Sequence, residues 1–410
     1  MYDLVVIGGG PAGMLGAATA GANGLKVLLI EKNERPGKKL SITGNGRCNV
    51  TNSGGIDDFQ RNTVSNGRFL YGALAKFDNQ RLIDLLNLLG VKVKVEQSGR
   101  VFPVSDRAGD VVEALQKHLR SNNVEIKFGA QVTAVTVRDN RVSGVLLSDN
   151  STWEARKVLL ATGGLSYRQT GSTGDGYAIA KKLGHTIIEP RAALVPLVTS
   201  EKWVKSLQGV RLEKVKIQAL TETPGLEQTG ELLFTHFGIS GPAVLNLSSF
   251  LGYRTGYPVK VKIDLFPSLS KEQLVERLRL CFRQNTGKLL KNSLGELLPR
   301  RMIPVALSIA ETSPDKQFDQ VSREELLHLT QTLKNIMLHI KGTRPLNESI
   351  ITGGGVSTAE INPSTLESKL VKGLYFAGEI IDVDALTGGY NLQIAFATGY
   401  LSGTSAASSP

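Results

Sequence analysis

Four residues near the start of the chain have the types and spacing that hold a dinucleotide. Gly8, Gly10 and Gly13 stand in the order G-x-G-x-x-G, and Glu31 follows 23 positions after Gly8. Gly8 permits a tight turn, Gly10 lets the backbone approach a pyrophosphate, and Gly13 lets a helix sit close on a sheet. Pro11 and Ala12 open that helix, whose free N–H groups and positive dipole end favour phosphate. A carboxylate at Glu31 can accept hydrogen bonds from ribose hydroxyls. Two other residues could move a proton: Cys48, in a polar glycine-rich loop, and His236, in Thr235-His236-Phe237-Gly238. A positioned thiol or imidazole is a competent donor. An isolated cysteine is equally a small buried hydrophobe, and a loop histidine equally a hydrogen-bonded structural one. Both alternatives stay open.

The elements that must position these residues are legible around them. Leu4–Ile7 and Val27–Ile30 are short apolar runs of buried-strand type, separated by small residues at helical spacing. The stretch Lys32–Asn52 is too polar for core and reads as an ordered loop over a ligand. Its cations (Lys32, Lys39 and Arg47 among them) suit a pyrophosphate, and Gly44, Asn45 and Gly46 suit the edge of a planar ring. Residues 68–90 and 106–121 are expected to be helical, with Val91–Val95 and Val101–Val104 a strand pair between them. Ala130–Val137, Arg141–Leu147 and Ser151–Ala155 read as a three-stranded meander. A separate buried strand, Lys157–Ala161, runs into Thr162-Gly163 and returns the chain beneath the dinucleotide. Gly171–Gly176 opens a helix through Lys182, with Asp175 in its first turn where the dipole favours it.

From Arg191 the texture changes. Short alternating runs over 192–266 predict a small antiparallel sheet or barrel, and residues 271–284, 290–298, 301–310 and 322–340 predict helices. Glycine-rich α/β character then returns. Leu374–Ala377 is a buried strand with Gly378-Glu379 at its end, and Thr387–Gln393 opens a helix through Leu401, followed by the small-residue tail Ser402–Pro410. A second glycine-turned helix start presents N–H groups to the negative charge that develops on a reduced flavin ring. No second G-x-G-x-x-G follows a strand, so no nicotinamide domain is expected. A site using both chain ends fits FAD better than NAD. The domains expected are 1–190 with 346–410, an inserted β domain over 191–270, and an inserted helical, basic domain over 271–345.

Composition bounds the classes. At 410 residues, 41% hydrophobic and 21% charged, the chain reads as an ordinary soluble protein. It has no basic leader, no membrane-length apolar run and no metal-ligand cluster, and its cysteines Cys48 and Cys281 form no C-x-x-C pair. Cytoplasmic location is the expectation. Net charge is +11: residues 1–190 contribute +7, residues 191–345, with 22 basic and 14 acidic side chains, +8, and residues 346–410 −4. Arg277, Arg279, Arg283, Lys288, Lys291, Arg300 and Arg301 face Glu296 alone within their stretch, which points to a polyanionic partner.

The blocks IGGGPAG, GKKLSITGNGRCNVTN, TGSTGDGYAIAKKLGH, FTHFGISGPAVLNLS and GLYFAGEIIDVDALTGGYNLQIAFATGYLSG resemble the BaiN/RdsA-type family of FAD-dependent reductases, over essentially the whole chain. The resemblance implies an α/β fold: a glutathione-reductase-type two-part FAD domain, Rossmann-like ββα, with an inserted antiparallel β-barrel-like domain and a helical domain. It implies that Gly8, Gly10, Gly13 and Glu31 hold the ADP half of FAD. Val132 would meet the adenine through its backbone, and Ala161, Thr162 and Gly163 would line the pyrophosphate region. Gly378, Glu379, Gly389, Tyr390, Asn391 and Leu392 would contact ribityl and isoalloxazine. Ala385 stands in a turn where glycine is expected. The implied reaction is hydride transfer from flavin, reduced by NAD(P)H, to an activated C=C. The substrate is uridine in 23S ribosomal RNA, read with the basic stretch as RNA contacts, or alternatively a bile-acid-like enone. A third possibility is a flavin-holding RNA-binding factor without turnover. Cys48 is the first candidate acid and His236 the second.

Overall fold

The computed structural model describes residues 1–222, 225–254, 256–285 and 287–408. It divides into two compact units, Met1–Ala193 with Leu346–Pro410, and Leu194–Pro345.

In the first unit the apolar runs become a parallel sheet. Its strands lie in the order Glu125–Phe128, Val27–Glu31, Tyr2–Ile7, Thr152–Leu160, Leu374–Phe376. Central strands covered on both faces are expected to be apolar throughout. Leu4, Val5, Leu28, Leu29, Val158, Leu159, Leu374 and Tyr375 are all 0% exposed. Pro11–Ala22 and the closing helix Tyr390–Ser408 pack together on this sheet through small residues. A Cβ on Gly399 would lie 2.3 Å from the Ala12 carbonyl oxygen, and one on Gly403 2.3 Å from that of Gly16. The expected low-complexity tail is therefore part of a helix through Ser408, because its small side chains let two backbones approach; residues 409–410 lie outside the described residues.

Two other expectations change here. The third meander strand and the buried strand are one, Thr152–Leu160. Its first half pairs antiparallel with Arg141–Leu147, and its second half runs parallel to Tyr2–Ile7. The helix expected over 68–90 is broken at Phe77-Asp78, where Asp78 accepts from Arg81 N and caps a new helix, Asn79–Leu88.

The second unit is a closed six-stranded antiparallel barrel. Its order is Leu197–Thr199, Gly238–Ser240, Glu227–Phe234, Arg211–Leu220, Val259–Asp264, Ile336–Thr343, and the last strand pairs back to the first. The helix expected over 322–340 stops at Lys334, and 336–343 is the closing strand. The helix expected over 290–298 shrinks to Leu290–Ser293. Pro242–Arg254, within the stretch read as β, is a helix; Ser248 and Ser249 hydroxyls accept from Val195 N and Leu194 N. Barrel and helices share one core, with Ile263, Leu278, Phe282, Leu307 and Leu333 all buried in the same cluster.

Candidate active site

Ile7, Ile30, Leu160 and Phe376 are level in the sheet, so the turns after these strands meet at one edge. That edge, at the carboxyl ends of parallel strands, is where α/β folds take ligands. Gly8 has φ +107°, and a Cβ there would lie 2.5 Å from the Ala161 carbonyl oxygen. A Cβ on Gly13 would lie 1.9 Å from the Gly8 carbonyl oxygen. Gly10 differs: its backbone is extended, and an added Cβ meets nothing within 4 Å. The helix that follows has no side-chain cap and no acidic residue in its first turn. The turn is closed at Gly8 and Gly13, where no side chain fits, and open at Gly10.

Glu31 closes one side. Its Oε2 accepts from Gly9 N at 2.8 Å, and its Oε1 accepts from Asn33 N at 2.8 Å and Asn33 Nδ2 at 2.7 Å. A carboxylate has about four acceptor sites, so capacity remains for ribose hydroxyls. Val132 and Ala161 are buried, and Gly163 has φ +73°. Thr162 Oγ1 is buried and has no hydrogen-bond partner among the described residues. An orphaned hydroxyl beside a glycine turn fits an absent polar ligand.

The second turn is built in the same way. Gly378, at φ +77°, donates to Thr398 Oγ1 at 2.9 Å; a Cβ there would lie 3.0 Å from Ala12 Cβ. The end of the last strand thus lies against the first turn of the N-terminal helix. Gly389 has φ +99°, and a Cβ would lie 2.2 Å from the Thr51 carbonyl oxygen. Asn391 laces the loop before it: Oδ1 accepts from Ala385 N at 3.0 Å, and Nδ2 donates to the Ala385 carbonyl at 2.7 Å. Ala385 is buried and has no positive φ, so glycine is not required there. Tyr390 stands edge-on to Phe59 at 5.1 Å, and Leu392 packs on the core. Gly44, Asn45 and Gly46 are consecutive left-handed residues, at φ +56°, +57° and +82°. Both glycine turns and their supporting residues fit FAD.

The cations divide. Lys39 Nζ lies 2.6 Å from Glu379 Oε2 and 2.7 Å from Ser166 Oγ, and Glu379 Oε1 accepts from Thr352 N at 2.8 Å. This network ties the N-terminal loop to the last strand end. Lys32 is paired with Asp175 at 2.9 Å. Arg47 lies between Glu96 and Asp106, with its guanidinium 4.2 Å above the Phe102 ring. Lys32 and Arg47 are paired with carboxylates far away in sequence.

Cys48 is corrected more firmly. It is 0% exposed within the main core, with N donating to the Thr43 carbonyl at 2.9 Å. A group with no accessible surface cannot touch a substrate. Burial pushes its thiol up to about 12, with a Thr43 hydrogen bond working the other way. Cys48→Ala is expected to leave turnover within a few-fold while lowering stability by about 1 kcal/mol. A collapse of turnover in a folded variant would restore the thiol to the chemistry.

His236 is exposed, in the turn between two barrel strands, and its ring meets Phe237 edge-on at 4.9 Å. The basic stretch is less free than its sequence count. Arg279 pairs with Glu276, one residue outside that stretch, and Lys291 pairs with Asp315, both at 2.6 Å. Lys288 donates to Asn285 Oδ1, and Arg301 donates to the Gln208 and Ser206 carbonyls. Arg277, Arg283 and Arg300 are exposed.

One cluster escaped the sequence reading. Asp384, 0% exposed, lies 3.4 Å from Arg191 Nη2 and accepts from Ser65 Oγ at 2.6 Å. Asp382, 7% exposed, accepts from Asn66 Nδ2 at 2.9 Å. The signal was D-x-D just ahead of the second glycine turn, but its partner Arg191 is remote in sequence. Among the described residues no His/Cys/Asp/Glu group could hold a metal, and no helix is long and apolar enough to cross a membrane.

Residues 2–405 match the model of the HI0933-like protein Rossmann domain. The chain is 34% identical over 423 residues to the 3-dehydro-bile acid delta(4,6)-reductase of Clostridium scindens, covering all of both chains. It is 33% identical over 403 residues to the ribosomal RNA dihydrouridine synthase of Escherichia coli, covering 97% of this chain and 96% of that one. A solved 3-ketosteroid-delta4-(5alpha)-dehydrogenase from Rhodococcus jostii RHA1 aligns with all of this chain and 97% of its own, with a TM-score of 0.53 at 13% identity, a likeness of fold. The chain belongs to the HI0933-like family, FAD-dependent oxidoreductases with a Rossmann-type FAD-binding domain.

Proposed function

We propose that this member of the HI0933-like family reduces the C5=C6 bond of a uridine in 23S ribosomal RNA, acting in the cytoplasm with NAD(P)H as transient reductant. The full-length similarity to a ribosomal RNA dihydrouridine synthase supports the reading. The observation that carries it over a small-molecule substrate is the positive barrel-and-helix unit, where Arg277 and Arg300 are exposed without an ion-pair partner among the described residues. Such side chains neutralise phosphates and position RNA without reading its sequence.

Bound FAD, once reduced, supplies the hydride. The chain's own residues do the rest. Gly8, Gly10 and Gly13, with Pro11 and Ala12, cradle the pyrophosphate. Glu31 takes the ribose, and Gly378, Gly389 and Asn391 shape the turns against the ring-bearing half. With Cys48 buried, His236 is the proton donor of this proposal. His236→Gln is expected to lower dihydrouridine formation by about 100-fold while flavin content stays unchanged. An undiminished rate would remove it from the reaction.

The similarity to a bile-acid reductase favours a second reading, the same reduction on a small enone. Mapping reduced uridines in ribosomal RNA by mass spectrometry, with and without the gene, separates the two. Loss of one dihydrouridine supports the RNA reading, and unchanged modification sinks it.

A further inference from the structure

We propose that a cleft on the barrel-and-helix unit binds an unstacked base of single-stranded RNA, with the flanking phosphates held by Lys202, Lys205, Arg300 and Arg301. The inference rests on the RNA reading above and assigns that RNA a second foothold.

The cleft lies between the 3-10 segment Lys202–Leu207 and the helix Met302–Ile309, and has a volume of about 440 Å³. That is within the range of clefts that hold ligands, about 300–1,000 Å³. Trp203 forms one wall, and Pro304, Val305, Ser308 and Ile309 form the other. The helix is unusual for a surface element. Its inner face, Met302, Ile303, Ala306 and Leu307, is buried in the core. Its outer face also carries Pro304, Val305 and Ile309, and no charged residue occurs between Met302 and Ile309. A surface helix ordinarily turns charges outward. The Trp203 ring lies 6.2 Å from the buried Phe234 ring, tilted 56° to it, and packs partly buried against the core.

Charge supplies the identity of the occupant. Lys202 and Lys205 flank Trp203, and Arg300 precedes Arg301 at the start of the helix; all four are exposed. Among the described residues none of the four has an ion-pair partner. Arg301 donates to the Gln208 carbonyl at 2.7 Å and to the Ser206 carbonyl, so it is fixed in place with its charge intact. Of the acids nearest in sequence, Glu201 accepts from His339 N at 2.9 Å and Nδ1 at 2.7 Å, Glu296 is exposed four residues before Arg300, and Glu311 follows the helix. An aromatic wall with Arg301 in the lining, and with Lys202, Lys205 and Arg300 adjacent to the lining residues in sequence, is an arrangement suited to stacking a base and tracking its backbone. An acidic peptide would answer to the charge but leave the indole wall without a planar partner.

The test uses the FAD-loaded full chain and single-stranded oligouridylate, with a Trp153→Phe background so that Trp203 alone reports. Binding is expected to quench Trp203 fluorescence. Trp203→Leu should weaken affinity by about 10-fold with little change in salt dependence. Arg300→Gln should instead lower the slope of log K against log salt by about 1. Val305→Ser, a neutral change at a half-exposed helix position, repeats the first arm should Trp203→Leu fail to fold. Wild-type binding that both wall variants leave intact overturns the cleft but not the RNA reading. Failure of the wild type to bind any RNA sinks the RNA reading itself. Poly-glutamate competing as well as RNA overturns the base-binding role, because charge alone would then account for the site.

Discussion

Gly10→Ala should fold normally and purify with little or no flavin, whereas Gly13→Val should lose both flavin and stability. The pair separates binding from folding within one turn. At Gly10 the backbone is extended, and the added methyl meets no protein atom within 4 Å. The melting temperature should therefore stay within about 2 °C of wild type. The methyl would project into the space proposed for the pyrophosphate, and overpacking of that kind costs about 1–3 kcal/mol, or roughly 5- to 150-fold in Kd. At Gly13 a side chain would lie 1.9 Å from the Gly8 carbonyl oxygen, 3.1 Å from its carbon and 3.3 Å from Ala161 Cβ. None of these can rotate away, so the helix must lift off the sheet. It is also wedged against the closing helix at Gly399 and Gly403, and the displacement spreads to the second glycine turn. Flavin absorbance of the purified proteins and a reconstitution titration check both results. Full occupancy in Gly10→Ala would move the cofactor away from this turn.

The local parts of this site were legible because they obey short-range rules. The strand–turn–helix–strand of residues 2–31 and the helix at 271–284 were read from periodicity and glycine spacing alone. What failed was non-local. The ion pairs of Lys32 and Arg47 were not legible because their carboxylates, Asp175, Glu96 and Asp106, lie far along the chain. Cys48 looked reactive because it lies in a polar loop, yet that loop folds its thiol inward. The strand Ile336–Thr343 was absorbed into the preceding helix, although Ile336, Leu338 and Ile340 alternate as buried residues with exposed Met337, His339 and Lys341. The end of the helix at Asn335 has no glycine or proline to mark it. Barrel closure, which decides that segment's fate, has no local signature.

Arg191→Met should cost about 3–5 kcal/mol at neutral pH, and the deficit should shrink as the pH falls. Arg191 reaches Asp384 at 3.4 Å from a strand whose partner makes room for it: a Cβ on Gly353 would lie 3.0 Å from the guanidinium carbon. Asp382 Oδ1 and Asp384 Oδ2 are each buried without a hydrogen-bond partner among the described residues. Burial pushes the Asp384 carboxyl above the usual carboxylate range. The Ser65 hydrogen bond and Arg191 pull it back, and Asp382 adds to the rise. Burial likewise raises Asp382, opposed by Arg191, by Asn66 and by the Gly354 backbone. A carboxyl raised on folding contributes stability that is complete below its unfolded pKa and is lost as pH rises through the folded value. Removing the guanidinium raises both carboxyls further and leaves buried negative charge unpaired, the situation that costs about 3–5 kcal/mol. For a unit of this size the melting temperature should fall by roughly 6–20 °C at pH 7. As the pH falls through the raised folded values the carboxyls protonate and the variant approaches wild type. Arg191→Met with Asp384→Asn should recover part of the loss, since removing both partners avoids the orphaned charge. Melting curves from acid to neutral pH decide it: a deficit that does not change with pH would mean that Arg191 acts through packing and not through the carboxyl pair. The pair lies in the segment that leads into Gly388 and Gly389, and Asp384 also accepts from Val64 N at 2.8 Å through its carbonyl. Loosening it therefore frees the turn proposed to meet the flavin ring, and flavin retention in Arg191→Met should follow the same pH dependence as its melting temperature.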